Sequence, residues 1–298
     1  MRYIVGYIAN ERGHDAVALA STLAARSGAQ LDLTMVLPPP HMPAARVPAE
    51  PGYDELIAEQ AEEWLKEGLA LVPAPVAATA SIRYAESFAE GLIQEAEEEQ
   101  AGLIVIGAGR HGLLGRYSIG SVASALLHSS PVPVALAPRG YQSHPGLGRI
   151  SCAVGTRAGA DNLLATVVDA ARRHEVPLRL ISLVAVGTKG PPEHGTDLDQ
   201  ARAHAQAVLD EAAARLPAEH EVGVEVAHGE RIEDAVETLH WRDDELLVIG
   251  SSRLAQHHRL FLGSTANKIL RSLPVPMVVV PRNYSPSGGD GTGPETIG

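Results

Sequence analysis

The chain has 298 residues, of which 45% are apolar and 20% charged, and its formal net charge at pH 7 is −12. This length favours two domains, and an aromatic content of only 4% means that aliphatic side chains must fill their cores. The negative charge argues against a protein that coats nucleic acid or anionic lipid, because such binding depends on clustered Lys and Arg.

The N-terminal residues and the single cysteine indicate the compartment. The first apolar run is too short for a secretory signal, and no segment approaches the roughly 20 apolar residues that span a bilayer. Cys152 cannot form an internal disulfide, and its apolar surroundings predict a buried, inert thiol. We expect a cytoplasmic protein with neither a membrane nor a nucleic acid as partner.

Short apolar runs alternate with helical patterns along the first half of the chain. The pattern predicts strands at 3–8, 30–36, 80–84, 103–107 and 132–137, and helices at 14–26, 53–71, 88–99 and 120–128. The strands are apolar without alternation and are each followed by a helix, which indicates parallel strands buried on both faces. In such doubly wound sheets, ligands bind beyond the carboxyl ends of the strands, where the winding reverses.

The second half of the chain repeats the first. Residues 103–140 align without a gap with residues 246–283, and residues 3–37 resemble residues 150–184. We therefore predict two repeated, doubly wound α/β domains, each with a mainly parallel five-stranded sheet, at 1–142 and 149–283. A linker at 141–148 joins them, and residues 284–298 lack apolar periodicity, which predicts a disordered tail.

One motif invites a different interpretation. GAGRHG at 107–112 matches the G-x-G-x-x-G fingerprint of dinucleotide-binding proteins, which requires an acidic residue about 20 positions later to bind ribose. No Asp or Glu occurs between Glu99 and Asp161, and the equivalent segment of the second repeat is GSSRLA. We therefore reject a nicotinamide or flavin cofactor.

Both repeats share the pattern G-x2-R-x9-G-S. Its first glycine ends a strand and its Gly-Ser pair begins a helix, whose free N–H groups would suit an anion. Alternatively, the glycine and serine serve only to end a strand and cap a helix. The conserved positions are Gly107, Arg110, Gly120 and Ser121, which match Gly250, Arg253, Gly263 and Ser264.

With these residues the chain resembles the universal stress protein family, which carries G-x2-G-x9-G-(S/T) after its fourth strand. The Pro-Val-Pro segments at 131–133 and 274–276 also resemble the family's last strand. The resemblance implies an adenine-nucleotide alpha-hydrolase-like fold, with two units docked through their last strands. In nucleotide-binding members, the glycines and Ser/Thr hold phosphate and ribose, and an Asp after the first strand holds adenosine.

We therefore take two sets of residues as candidate ligand contacts, and predict no catalytic residue and no metal ligand. No cofactor is required, and ATP or AMP is the candidate ligand. The first set is Gly107, Arg110, Gly120, Ser121, Val122 and Val36. The second set is Gly250, Arg253, Gly263, Ser264, Thr265 and Leu183.

The chain departs from the family pattern at two places in each repeat. Arg110 and Arg253 replace the second motif glycine, where a side chain obstructs the backbone's approach to phosphate but also offers a guanidinium to it. Ile8 and Gly155 stand where the family has its Asp, so both repeats lack the carboxylate that holds adenosine. Basic side chains remain around both loops, at His111, Arg116, His257, His258 and Arg259.

The expected function is that of a non-enzymatic stress-response or regulatory protein that binds an adenine nucleotide or another phosphorylated small molecule. One alternative is a scaffold that binds an unknown protein partner and has vestigial ligand sites. A second is a slow nucleotide hydrolase, with Glu11 or Glu86 supplying the carboxylate. Both a monomer with paired domains and a homodimer are compatible with the repeat.

Overall fold

A computed structural model describes residues 1–40, 53–108, 120–154, 161–185, 196–214, 221–251, 263–281 and 284. Strands and helices alternate along these residues in both repeats. The strands are β1 (Arg2–Gly6), β2 (Gln30–Leu37), β3 (Ala78–Tyr84), β4 (Leu103–Gly107), β5 (Val134–Ala137), β6 (Arg149–Ala153), β7 (Leu178–Ala185), β8 (Val222–Gly229), β9 (Glu245–Gly250) and β10 (Met277–Val280). The helices are α1 (Glu11–Ser27), α2 (Tyr53–Ala70), α3 (Phe88–Glu98), α4 (Ser121–Ser129), α5 (Asp161–His174), α6 (Thr196–Ala214), α7 (Ile232–Thr238) and α8 (Ser264–Ser272).

Local sequence sets the ends of the helices in the first repeat. Asn10 caps α1, because its Oδ1 accepts hydrogen bonds from the N–H groups of Arg12 and Gly13 at 3.0 and 3.4 Å. The same helix ends at Gly28, whose φ of 66° lies in the left-handed region that glycine tolerates. Ser87 caps α3 by accepting from the N–H of Glu90 at 3.2 Å.

The described strands form one sheet in the order β3-β2-β1-β4-β5-β10-β9-β6-β7-β8. Each repeat contributes five parallel strands, which confirms the predicted α/β fold class. The two halves are not stacked on one another: they join edge to edge, where β5 and β10 pair antiparallel with Leu136 opposite Met277 and Val134 opposite Val279. The pairing of last strands is the arrangement that the family resemblance implied.

The sheet is buried on both faces. One apolar cluster runs beneath α1 and α5 and combines Val5 and Leu31 of the first repeat with Leu180 and Val248 of the second. The opposite cluster includes residues of α3, α4, α7 and α8 and likewise crosses the junction. Cys152 is fully buried, as predicted, and burial raises the pKa of its thiol to about 12.

Helix α1 holds the linker between the repeats. The Asp15 carboxylate accepts a hydrogen bond from the N–H of Gly140 at 3.1 Å, and the Thr22 hydroxyl accepts one from the N–H of His144 at 2.9 Å. Leu147 is buried in the core beneath the same helix. The linker is therefore packed against the first repeat rather than suspended between domains.

Two sequence predictions fall largely outside the described residues. Of the predicted tail, the structure describes Tyr284, whose hydroxyl donates a hydrogen bond to the Gly102 carbonyl at 3.2 Å, whereas 285–298 lie outside. Residues 41–52 of the proline-rich segment that follows β2 also lie outside. None of the described helices combines the length and apolar character that crossing a bilayer requires.

The second repeat contains a buried ion pair between Arg179 and Glu245. The guanidinium of Arg179 donates to Glu245 Oε1 at 2.6 Å and to Glu225 at 2.9 Å, and lies 4.9 Å from the centre of the Trp241 ring. Arg149 donates to the other oxygen of Glu245 at 2.5 Å. Glu245 is fully buried, so its charge depends on these partners for stabilisation.

We expect Glu245→Ala to lower the free energy of unfolding by about 3 to 5 kcal/mol, because it leaves buried Arg179 without its main partner. Urea denaturation measures this loss. Glu98→Ala is the matched control, because Glu98 also pairs with an arginine, Arg83, but its side chain is 62% exposed. That variant should lose less than about 1 kcal/mol. Equal losses in the two variants would contradict a special role for the buried pair.

His174 at the end of α5 is buried where the repeats meet, and is 4% exposed. Burial lowers the pKa of its imidazole from 6.5 to about 4, and the charges of Arg173 and Arg26 act in the same direction. The unfolded chain therefore binds a proton at this position more tightly than the folded chain does.

Because the folded pKa of His174 is the lower one, its contribution to stability is complete above about pH 6.5 and declines as the pH falls toward 4. The loss expected from the shift is about 3 kcal/mol. Urea denaturation of the wild type and of His174→Leu at pH 7 and pH 4.5 measures it. The variant should lose less stability between these pH values, and an unchanged pH dependence would contradict the assignment.

Candidate functional site

Each repeat has its own predicted ligand edge, at the point where the winding of its part of the sheet reverses. These points fall between β1 and β4 in the first repeat and between β6 and β9 in the second. Gly107 and Gly250 are the last residues of β4 and β9, so each motif begins at the carboxyl end of a strand beside the reversal.

In the first repeat, the backbone of α1 fills the space beside Gly107. A Cβ added to Gly107 would overlap the carbonyl oxygen of Arg12 in the first turn of that helix. A Cβ added to Gly13 would likewise overlap the carbonyl oxygen of Ile8. Both glycines are therefore needed for close backbone packing, and this part of the first site is closed.

For the corresponding position in the second repeat, the counterparts of Arg12 and Gly13 fall within 155–160, outside the described residues. Among the described residues, the atom nearest to a Cβ added to Gly250 is Leu163 Cδ2 at 3.4 Å, an ordinary contact distance. The next residue, Ser251, donates its N–H to the Val280 carbonyl at 2.8 Å. Its hydroxyl is buried and has no hydrogen-bond partner within the described part of the chain. Ser251 replaces Ala108 of the first repeat and was not predicted as a site residue.

Helices α4 and α8 begin alike. Gly120 and Gly263 are their N-caps, with φ and ψ of −72° and 171° in one and −70° and 168° in the other. Neither cap provides a side-chain hydrogen bond, and neither first turn contains an acidic residue. A helix start of this kind, with its first N–H groups and the positive end of its dipole, suits an anion. The residues that precede Gly120 and Gly263 lie outside the described ranges.

The other predicted contacts lie on or near the ligand edge of their own repeat. Ser121, Ser264 and Thr265 are exposed in the first turns of α4 and α8, whereas Val122 is half-buried. Val36 and Leu183 are half-buried near the carboxyl ends of β2 and β7, each one strand away from the reversal. Val36 packs against α3, where a Cβ added to Gly91 would lie 2.7 Å from it.

The turn after β1 contains no carboxylate at the family's Asp position. Ile8 occupies it, and its carbonyl accepts a hydrogen bond from the N–H of Asn10 at 2.7 Å. Because Asn10 also caps α1, the start of that helix already has a protein partner. Asn10 was not predicted as a site residue, although an Asn directly before a helical pattern is a recognisable capping signal.

Several predicted site residues lie outside the described residues. These are Arg110, Arg253, Gly155 and the basic loop residues His111, Arg116, His257, His258 and Arg259. Of the two carboxylates considered for hydrolysis, Glu11 begins α1 beside Gly107, whereas Glu86 follows β3, three strands from β4. Within the described ranges, no group of three or more His, Cys, Asp or Glu side chains is arranged to hold a metal ion.

Comparison with known proteins gives consistent matches. The model of the universal stress protein family matches residues 1–138 and 146–281. A universal stress protein of Mycobacterium tuberculosis is 31% identical over 292 residues, which cover 94% of this chain and all of the relative. A crystal structure of a universal stress protein from Archaeoglobus fulgidus has a TM-score of 0.64 at 18% identity and covers 94% of this chain and 98% of its own.

A further Archaeoglobus fulgidus universal stress protein was solved in complex with dAMP. It matches 45% of this chain and 97% of its own, with 18% identity and a TM-score of 0.31. The ligand in that structure belongs to that protein.

The two strand-end glycines should respond differently to the same substitution. Gly107→Ala places a methyl group against the backbone of α1 and should lower the free energy of unfolding by about 2 kcal/mol or more. Gly250→Ala, the matched control, should change it by less than about 1 kcal/mol. Thermal and urea denaturation of both variants test the difference, and equal effects would show that the first site is no more closed than the second.

Proposed function

The chain belongs to the universal stress protein family, and we propose that it is a non-enzymatic regulatory protein of the stress response that binds an adenine nucleotide or another phosphorylated small molecule. The observation that carries the proposal is the start of α8 at Gly263 and Ser264, which has no side-chain cap and lies at the same edge of the sheet as Gly250. We assign the ligand to the second repeat.

Phosphate suits this position for physical reasons. A helix start offers several N–H donors and a partial positive charge, and an exposed serine adds a hydroxyl donor. Gly263 meets this description, and Ser264 is exposed in the first turn. The unpartnered hydroxyl of Ser251 at the end of β9 supports a ligand contact there, because a buried hydroxyl without a hydrogen bond is costly.

The first repeat favours the alternative of a vestigial site. The first turn of α1 packs against Gly107, and the side chain of Asn10 accepts hydrogen bonds from the first N–H groups of that helix. Among the described residues of the first repeat, the start of α4 at Gly120, which has no side-chain cap, still suits an anion. We propose that the first repeat has kept the fold of the family without its full ligand site.

Recognition of the ligand should depend on its phosphate more than on its base. The first repeat has Ile8 where the family places its adenosine-binding Asp, and the second has Gly155. Loss of one buried hydrogen bond to a charged group weakens binding by roughly ten- to a hundredfold. Phosphate contacts remain, so affinity should rise with the number of phosphates and fall with added salt.

Gly263→Asp tests the site without harming the fold. Aspartate is a preferred N-cap residue, so the new carboxylate should accept hydrogen bonds from the first N–H groups of α8. The melting temperature should therefore stay the same or rise. The same carboxylate fills the position of the phosphate and repels its negative charge, so affinity for ATP or AMP should fall at least about tenfold. Calorimetric titration with each nucleotide, with and without Mg²⁺, measures the change.

Two variants serve as controls for that titration. Gly263→Ala adds no charge and should leave nucleotide affinity within about threefold of the wild type. Gly120→Asp makes the equivalent change in the first repeat and should have little effect.

Loss of binding in Gly120→Asp alone would move the site to the first repeat. Absence of heat and of any thermal shift with nucleotide in the wild type would favour the scaffold alternative.

A further inference from the structure

An apolar cavity of about 80 Å³ lies at the junction between the repeats, on the face of the sheet covered by α1 and α5. Its wall combines Leu23 and Leu103 of the first repeat with Val167, Ala170, Val248 and Val278 of the second. The cavity is open on one side. Neither Gly250 nor the start of α8 contributes to its described lining, so it is distinct from the proposed nucleotide site.

A buried polar group lines this cavity without a partner. His174 is 96% buried, and within the described part of the chain its Nδ1 has no hydrogen-bond partner. Its pKa of about 4 means that the imidazole is neutral at pH 7, so one ring nitrogen carries a proton.

The charges around the cavity are positive. Arg173 contributes to its lining, and no salt bridge of Arg173 occurs among the described residues. Burial raises the pKa of Tyr3 and of Tyr284, and the charge of Arg173 acts against that rise in both. Arg173 is exposed, so its guanidinium remains hydrated at the rim of the cavity. The interior of the cavity beside it is apolar.

We propose that this cavity binds a small monocarboxylic acid with an apolar body of about two to three carbons. The apolar body fills the space beneath α1 and α5, and the carboxylate lies at the rim. There it pairs with the guanidinium of Arg173.

The size and lining exclude other classes of ligand. A cavity of roughly 150 Å³ accommodates benzene, so a space of about 80 Å³ takes a short chain and excludes a nucleotide base. An uncharged hydrocarbon would leave the Arg173 guanidinium at the rim unused. A cation is disfavoured, because Arg173 and Arg26 are the charges that act on His174.

Butyrate, whose apolar body has three carbons, is a suitable probe for the full-length protein. Its affinity, measured by calorimetric titration at pH 7, should be on the order of 0.1 to 1 mM, as befits a ligand of so few atoms. Ala170→Leu fills the cavity and should weaken binding at least about tenfold. Arg173→Gln removes the charge at an exposed position and should weaken binding about fivefold or more.

Arg172→Gln is the matched control, because Arg172 is the exposed neighbour of Arg173 and does not line the cavity. It should leave butyrate affinity unchanged, as should Gly263→Asp and saturating AMP, because the two proposed sites are separate. The proposal is overturned if butyrate shows no binding at about 10 mM, or if Ala170→Leu binds it as well as the wild type. Equal binding of 1-butanol and butyrate would overturn the carboxylate assignment.

Discussion

The antiparallel pairing of β5 with β10 is the constraint on which the rest of the structure depends. Each repeat alone would leave its last strand as an unpaired edge, and such edges invite association with other strands. Pairing Leu136 with Met277 and Val134 with Val279 removes both edges and makes one continuous sheet. Because the pairing is antiparallel, the strands of the two repeats run in opposite directions, and their carboxyl ends open at opposite edges.

The repeats keep one backbone but have diverged in their buried polar groups. Asp32 of β2 and Arg179 of β7 occupy equivalent positions, paired with Ile4 and Ser151 of the neighbouring strands. Ser81 donates to Asp32 at 3.0 Å, whereas Arg179 has carboxylate partners in Glu245 and Glu225. Opposite charges are tolerated at one position because each has its own compensating partners, and the same freedom allowed the two ligand edges to diverge.

The junction has properties that neither repeat has alone. Arg26 of α1 donates a hydrogen bond to the His174 carbonyl at 3.5 Å, and Tyr284 reaches Gly102 across the boundary. These contacts place a neutral histidine and an apolar cavity beside Arg173, which has no salt bridge among the described residues. A duplicated domain can thus form a cavity at its internal interface that neither copy has alone.

The sequence by itself determined the order of strands and helices along the chain and the strand-end positions of Gly107 and Gly250, because apolar runs, glycines and capping residues act locally. It also showed the duplication, because the two halves resemble one another. It also indicated that Cys152 is buried. It did not show that the space beside Gly107 is closed, since this depends on how the first turn of α1 approaches β4. Nor did it single out His174, whose surroundings come from residues far apart in the chain. Tertiary structure decided these features, because backbone approach, desolvation and cavity shape arise only when distant segments pack together.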